Sequence, residues 1–320
     1  MMRGIRNPMA PALSIMLRSY SPTDPGPNGW QPLFDRARSA DEAGVDRLFV
    51  SDHVVFGERM EEYARPEVGG QEGGRQPTGP DGHWLEPLTV LTALSSVTSR
   101  VRLATGILLA ALRRPVVLAE TAATIDALSG GRLDLGVGVG WQREEYEAAG
   151  LDFEDRGRLL DHTLAVCQTL WRHAPARFES DELAFERIYQ FPHPVEPGGV
   201  PIWVSGTVNK RVLERIVRFG SGWIPWGPAE QDPVTWIPRV HEALASAGRD
   251  VTGFEVAGRL PVVLDNGGDL EVNATMDRLP PLVEAGVTDF RAFVRLPRDR
   301  AAATDQLSGI VDAFRKAVGR

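Results

Sequence analysis

Eight times along this 320-residue chain, a short apolar run that reads as a strand is followed by an amphipathic segment that reads as a helix. The strand-like runs are Leu13–Leu17, Asp46–Val50, Val101–Ala104, Leu133–Val137, Pro201–Val204, Gly222–Pro225, Phe254–Leu260 and Asp289–Val294. Between them lie helical segments at Gln31–Ala43, Glu86–Thr98, Pro115–Leu128, Arg156–Arg172, Val208–Phe219, Pro233–Ala247, Glu271–Ala285 and Ala301–Val318. Strands that are apolar throughout, rather than alternating, belong in a parallel sheet covered by helices. Eight such units in this length favour a closed (β/α)8 barrel, which needs about 250 residues, over an open sheet. No break in composition marks a boundary, so residues 1–320 are expected to form one domain.

Two insertions interrupt the rhythm. Residues 54–83 follow the second strand and are rich in Gly and Pro, with little apolar content. A connection this long is functional or disordered, and its point of departure predicts a mobile lid over a pocket. Residues 173–200 follow the fourth helix and carry Phe178, Phe185, Tyr189 and Phe191; they are expected to form a hairpin on the same face.

Hydrophobic content of 42% suits a large core, and a net charge of −8 argues against nucleic acid or anionic membrane as partner. The apolar run Ala12–Leu17 is too short for a signal-peptide core, and no stretch is long enough to span a bilayer. The expectation is a cytoplasmic protein acting on a small molecule. A single cysteine, Cys167, excludes a disulfide framework and reads as a core thiol on its helix.

In a barrel the strand C-termini hold the site. Here those ends are Asp52-His53, Thr105-Gly106-Ile107, Gly138–Trp141, Ser205-Gly206-Thr207 and Gly222–Trp226. The six histidines are scattered, so no metal is expected. His53 can move a proton near neutrality, with Asp52 holding its tautomer; the bland alternative is a loop cap and a polar filler. Gly136, Gly138 and Gly140 leave a strand end open to a flat or anionic ligand. Their spacing fails the dinucleotide fingerprint, because Trp141 or Arg143 stands where the third glycine belongs. Ser205, Gly206 and Thr207 at a helix start, with Lys210 and Arg211 nearby, suit a phosphate, although Thr207 could serve only as an N-cap.

The assembled motifs resemble the bacterial luciferase-like family, in its coenzyme F420-dependent branch, over nearly the whole chain. They are Ser51-Asp-His53, Trp84-Leu-Glu-Pro-Leu88, Ser99-Arg-Val-Arg-Leu-Ala-Thr-Gly106, and Arg114-Pro115 with Ala119-Glu120 and Thr124-Ile-Asp126. Leu128-Ser-Gly-Gly-Arg132, Gly136–Trp141 with Glu144-Glu145-Tyr146, Arg156 with Asp161, Pro201-Ile-Trp-Val204 and Gly220-Ser-Gly-Trp223 follow in order. The resemblance implies a deazaflavin ring across the strand ends, beside Thr105, Gly106, Ile107, Gly138, Gly140 and Trp141. It places a phosphate tail near Ser205, Gly206, Thr207 and Lys210, with help from Arg156 or Arg158. It also implies a non-proline cis peptide at Gly106–Ile107, catalysis by His53 with Asp52, and a homodimer.

Sugar-phosphate dehydrogenases of that branch carry a tryptophan four residues after the histidine and an acid after the glycine run. Gly57 and Trp141 stand there instead. That argues against a sugar phosphate and for an apolar pocket walled by Trp141 and Trp226. A hydride-transferring oxidoreductase using coenzyme F420 is the leading expectation. An FMN-dependent monooxygenase is the alternative, and a non-catalytic flavin-binding protein the third.

Overall fold

The computed structural model describes residues 10–320. Eight parallel strands close into a barrel: β1 (Ala12–Met16), β3 (Arg47–Val50), β5 (Arg102–Thr105), β6 (Leu133–Val137), β9 (Ile202–Gly206), β10 (Gly222–Pro225), β11 (Glu255–Arg259) and β12 (Asp289–Ala292). Closure comes from β1, which pairs with β3 on one side and β12 on the other. Around it run α1 (Gln31–Ala43), α2 (Pro87–Ser95), α3 (Pro115–Ser129), α4 (Arg143–Ala148), α5 (Arg156–Arg172), α6 (Lys210–Phe219), α7 (Pro228–Gln231), α8 (Pro233–Ser246), α9 (Val272–Met276), α10 (Pro280–Glu284) and α11 (Arg300–Ala317). Two antiparallel ribbons stand outside the barrel: β2 (Tyr20–Ser21) with β4 (His83–Trp84), and β7 (Ala176–Glu179) with β8 (Ala184–Ile188).

The helix limits have local causes. Gly44 and Gly130 end α1 and α3 in left-handed conformations, at φ 82° and 70°, where a side chain would be strained. Pro115 starts α3, where its missing N–H is no loss. The single helix expected over 271–285 is two short ones, because Pro280 and Pro281 cannot continue the turn. A short helix not anticipated, α4, lies directly after the glycine run.

The outer faces of the strands and the inner faces of the helices share one apolar core, in which Cys167 is fully buried and its thiol pushed up by that burial. Inside the barrel the packing is charged. Arg47 is buried and pairs with Asp134 at 2.9 Å, Asp289 at 2.5 Å and Glu255 at 3.2 Å. Arg102 adds a second cation to Asp134 and Arg291 one to Asp289. Trp203 lies under Arg47 and Arg291, 4.6 and 5.3 Å from ring centre to guanidinium.

Because each helix runs antiparallel to its strand, a connection following a helix leaves from the strand N-terminal end. The β7–β8 hairpin is present and starts from the opposite face, but its tip reaches the first turns of α5. It leaves from the end of α5 and climbs the outside of that helix, with Phe178 against His162 and Glu182 paired with Arg158. None of the helices among the described residues is long and apolar enough to cross a membrane.

Candidate active site

The end of β3 delivers Ser51, Asp52 and His53 to the mouth of the barrel. Asp52 is buried and fully engaged: it accepts from Leu109 N–H at 2.8 Å and from Arg113 at 2.6 and 3.1 Å. Arg113 also reaches Glu86 at 2.8 Å. Burial alone would lower the Arg113 guanidinium pKa, but Asp52 and Glu86 outweigh it and hold the group above its ordinary value. Asp52 thus anchors the β5–α3 connection, and the expectation that it orients His53 is corrected.

The carboxylate facing His53 is Glu145. Its Oε1 lies 3.2 Å from His53 Nδ1 and accepts from Val54 N–H at 2.9 Å, which fixes both the ring and the chain direction behind it. Glu145 is buried on α4, and its Oε2 has no partner among the described residues. No protein group among the described residues pairs with His53 Nε2. One ring nitrogen is therefore held and the other is available, the arrangement that a proton-transferring imidazole requires.

Around the imidazole stand aromatic rings. Phe56 lies 4.4 Å from the imidazole centre, Trp84 4.8 Å and edge-on, and Trp141 6.0 Å and edge-on. Tyr63 bridges Trp141 and Trp226 at 5.3 and 6.2 Å. Trp141 is buried and its indole N–H has no partner among the described residues, a donor left for an acceptor. Gly57 packs against Glu144: a Cβ there would fall 2.4 Å from Glu144 Cγ. A side chain at position 57 would displace Glu144, and Phe56 and Trp84 supply the aromatic wall.

The segment 54–83 is folded rather than open. It makes two short 3₁₀ turns, at Met60–Ala64 and Pro66–Val68, before returning through β4. Three contacts hold it over the mouth. Arg59 bonds Glu144 at 2.6 Å, Gln71 bonds Glu230 at 2.7 Å, and the Trp226 indole donates to Gly69 and Gly70 carbonyls at 3.0 and 3.2 Å.

The residues expected to hold a cofactor divide into those that meet and those that do not. The Gly106–Ile107 peptide is cis, and Ile107, Gly138 and Ser205 come together: a Cβ on Gly138 would lie 2.5 Å from Ile107 Cδ1 and 3.6 Å from Ser205 Cβ. Gly140 is likewise filled by Leu109, at 2.7 Å. The missing side chains of these two glycines leave room for Ile107 and Leu109. Thr105 is buried and gives its hydroxyl to Gly136 O at 2.7 Å, so it faces the strand rather than a ligand.

At the end of β9, Thr207 donates to Trp226 O at 3.1 Å, and Asn209 caps α6 by accepting from Val212 N–H at 3.1 Å. Lys210 swings out, 89% exposed and 4.0 Å from Glu214, away from the expected cradle. Arg156 lies at the start of α5, stacked 3.8 Å over Phe153, with Arg143 on the same ring at 4.6 Å. Burial, together with the like charges Arg143 and Arg211, outweighs Glu154 and lowers the Arg156 guanidinium pKa; its Nε is buried without a partner among the described residues. Arg156, with its orphaned donor, and Arg211 in the first turn of α6 fit an anionic tail.

Glu145, Arg113, Phe56 and Tyr63 escaped the sequence reading. For Glu145 a signal existed, the pair Glu144-Glu145 directly behind Trp141; its contact with His53 spans 92 positions.

The luciferase-like monooxygenase family model matches residues 12–307. This chain belongs to that family. Among luciferase-like relatives, an uncharacterised protein of Mycobacterium tuberculosis is 30% identical over 277 residues, covering 85% of this chain and 91% of its own. The F420-dependent glucose-6-phosphate dehydrogenase of the same organism is 28% identical over 252 residues, 76% of this chain and 68% of that protein. Two luciferase-like structures share the fold. One is an F420-dependent secondary alcohol dehydrogenase in complex with an F420-acetone adduct (TM-score 0.69, 18% identity, 96% and 100% coverage). The other is the oxygenating constituent of the Pseudomonas putida 3,6-diketocamphane monooxygenase in complex with FMN (TM-score 0.68, 15% identity, 96% and 98% coverage). The luciferase-like barrel thus accounts for the whole described core, and its relatives use either deazaflavin or flavin.

Proposed function

We propose that this luciferase-like oxidoreductase moves a hydride between coenzyme F420 and a small, uncharged alcohol or ketone. The observation that carries the reading is His53: Nδ1 tied to Glu145, Nε2 unpartnered, the ring enclosed by Phe56, Trp84 and Trp141. When bound, the deazaflavin supplies a carbon centre that accepts or returns hydride and does not readily activate oxygen. His53 Nε2 takes the hydroxyl proton as an alcohol becomes a ketone, and returns it in reduction. Trp141, standing where sugar-phosphate enzymes carry an acid, offers its unpartnered N–H to the substrate oxygen. Arg156 and Arg211, with the start of α6, hold the anionic tail; Ile107, Gly138 and Ser205 form the wall beside the ring. The aromatic cage excludes water from the proton step.

The relative that uses F420 on glucose 6-phosphate supports the cofactor, while Gly57 and Trp141 argue against its substrate. A second reading, an FMN-dependent monooxygenase, is favoured by the equally close fold of the FMN-bound structure. The homodimer and the cytoplasmic location belong to the same proposal, with light scattering as the check on the dimer. Titration of the purified protein with oxidised F420 and with FMN tests the cofactor. Micromolar binding of F420 in preference to FMN is expected; tight FMN binding with no F420 binding overturns the reading. Oxygen uptake with reduced FMN, stoichiometric with product, would establish the second.

A further inference from the structure

A separate cavity of about 510 Å³ opens at the rim of the same face, where the chain leaves β1 and β12. Its walls include Tyr20, Trp30, Leu33, Asp35 and Pro297, and besides Arg300 three arginines line it: Arg18 beyond β1, Arg36 on α1 and Arg298 ahead of α11. None of the three has an ion pair or a hydrogen bond among the described residues. Arg18 rests over Phe293 at 4.9 Å and Tyr20 at 5.8 Å. Arg36 is half-buried; burial first, and the like charge of Arg18 second, hold its guanidinium below the ordinary value.

Elsewhere the fold treats its buried arginines differently. Arg47, Arg113 and Arg215 each meet a carboxylate, and Arg132 and Arg249 donate to backbone carbonyls. Around the cavity the available acids are already taken. Asp35 accepts from Gln31 at 3.0 Å and Arg38 at 3.2 Å, and Arg300 is paired with Glu42. A half-buried guanidinium facing a second cation is unfavourable until an anion joins them, and planar forks suit a carboxylate or phosphate.

We propose that this cavity binds an organic oxyanion, a carboxylate or phosphate monoester on a flat apolar body. Its head bridges Arg18, Arg36 and Arg298, and its body lies against Trp30 and Tyr20. The site is outside the aromatic cage but shares a wall with it: Tyr20 stacks on Trp84 at 4.4 Å, and Trp84 stands edge-on to His53. An occupant therefore lies behind the ring that closes the cage, one layer from the reacting centre. The inference does not depend on which cofactor binds.

Calorimetric titration of the full chain with benzoate, phenyl phosphate, inorganic phosphate and benzyl alcohol tests it without cofactor or turnover. Benzoate or phenyl phosphate should saturate one site per chain at sub-millimolar affinity, and whichever binds tighter identifies the head group. Benzyl alcohol should not bind. Arg36→Gln should weaken binding roughly tenfold or more, the loss of a charged hydrogen bond. Arg298→Gln, at an exposed position that leaves the fold intact, should weaken it too, while Arg239→Gln on α8 should not. Unchanged affinity in both Arg36→Gln and Arg298→Gln, or equal affinity for benzyl alcohol, overturns the proposal. Inorganic phosphate binding as tightly as phenyl phosphate overturns its apolar body.

Discussion

His53 can meet a reacting atom through Nε2 alone, because Glu145 holds Nδ1. The two carboxylates near it therefore have different tasks, and two substitutions separate them. Glu145→Gln keeps the shape but removes the charge that sets the ring, so kcat/KM should fall about 10²-fold, within the range for a positioned acid–base group. The F420 dissociation constant and the melting temperature should stay close to the parent's. A mutant enzyme with full turnover would remove Glu145 from the proton path. Asp52→Asn should act on the fold: it leaves Arg113 short of its main counter-charge inside the β5–α3 connection. A loss of about 3 kcal/mol in denaturant unfolding is expected. The sequence singled out His53 and the end of its strand, since strand ends are where a barrel carries its site. It assigned Asp52 to the imidazole and passed over Glu145. Adjacency favoured the first, while the second arrives through α4, a helix too short for periodicity to reveal.

At the scale of elements, the barrel units follow from apolar patterning and from punctuation by Gly44, Gly130 and Pro115. The insertions do not, because their structure comes from contacts with distant segments. Residues 54–83 have little apolar content of their own, yet Trp226, Glu230 and Glu144 fasten them over the mouth. The hairpin after α5 was recognisable as a hairpin, but its course along the outside of that helix is set by contacts with His162 and Arg158. Trp226 is the test of the fastening. Trp226→Phe keeps the ring but removes the N–H shared by the Gly69 and Gly70 carbonyls. Limited proteolysis within 58–75 should accelerate severalfold and the substrate KM should rise, with the thermal transition of the barrel little changed, because local opening is separable from global unfolding. An equal cleavage rate in the variant and the parent would show that these bonds do not hold the segment.

At the scale of the molecule, a barrel whose strands look apolar in sequence encloses a layer of charge. Asp134 within Leu133–Val137 and Arg47 and Asp289 near the starts of their strands read there as interruptions, and only closure turns them toward one axis. Such a layer gives register and specificity but makes stability depend on pairing and on pH. Burial would raise the Asp289 carboxyl, but Arg47, Arg291 and Ser14 outweigh it and hold its pKa below the usual value. A carboxylate depressed in the folded state stabilises above its unfolded pKa, about 3.9, and that contribution is lost as pH falls through the folded value. The parent's melting temperature should therefore fall on acidification below about pH 4. Arg47→Met removes the cation shared by three carboxylates and should cost about 3–5 kcal/mol at pH 7. Without Arg47 the folded pKa of Asp289 rises, so protonation now relieves the repulsion, and the gap between variant and parent should narrow as pH is lowered. Melting curves between pH 3 and 8 read this directly; a gap that is constant across that range would mean that Arg47 contributes packing against Trp203 rather than charge.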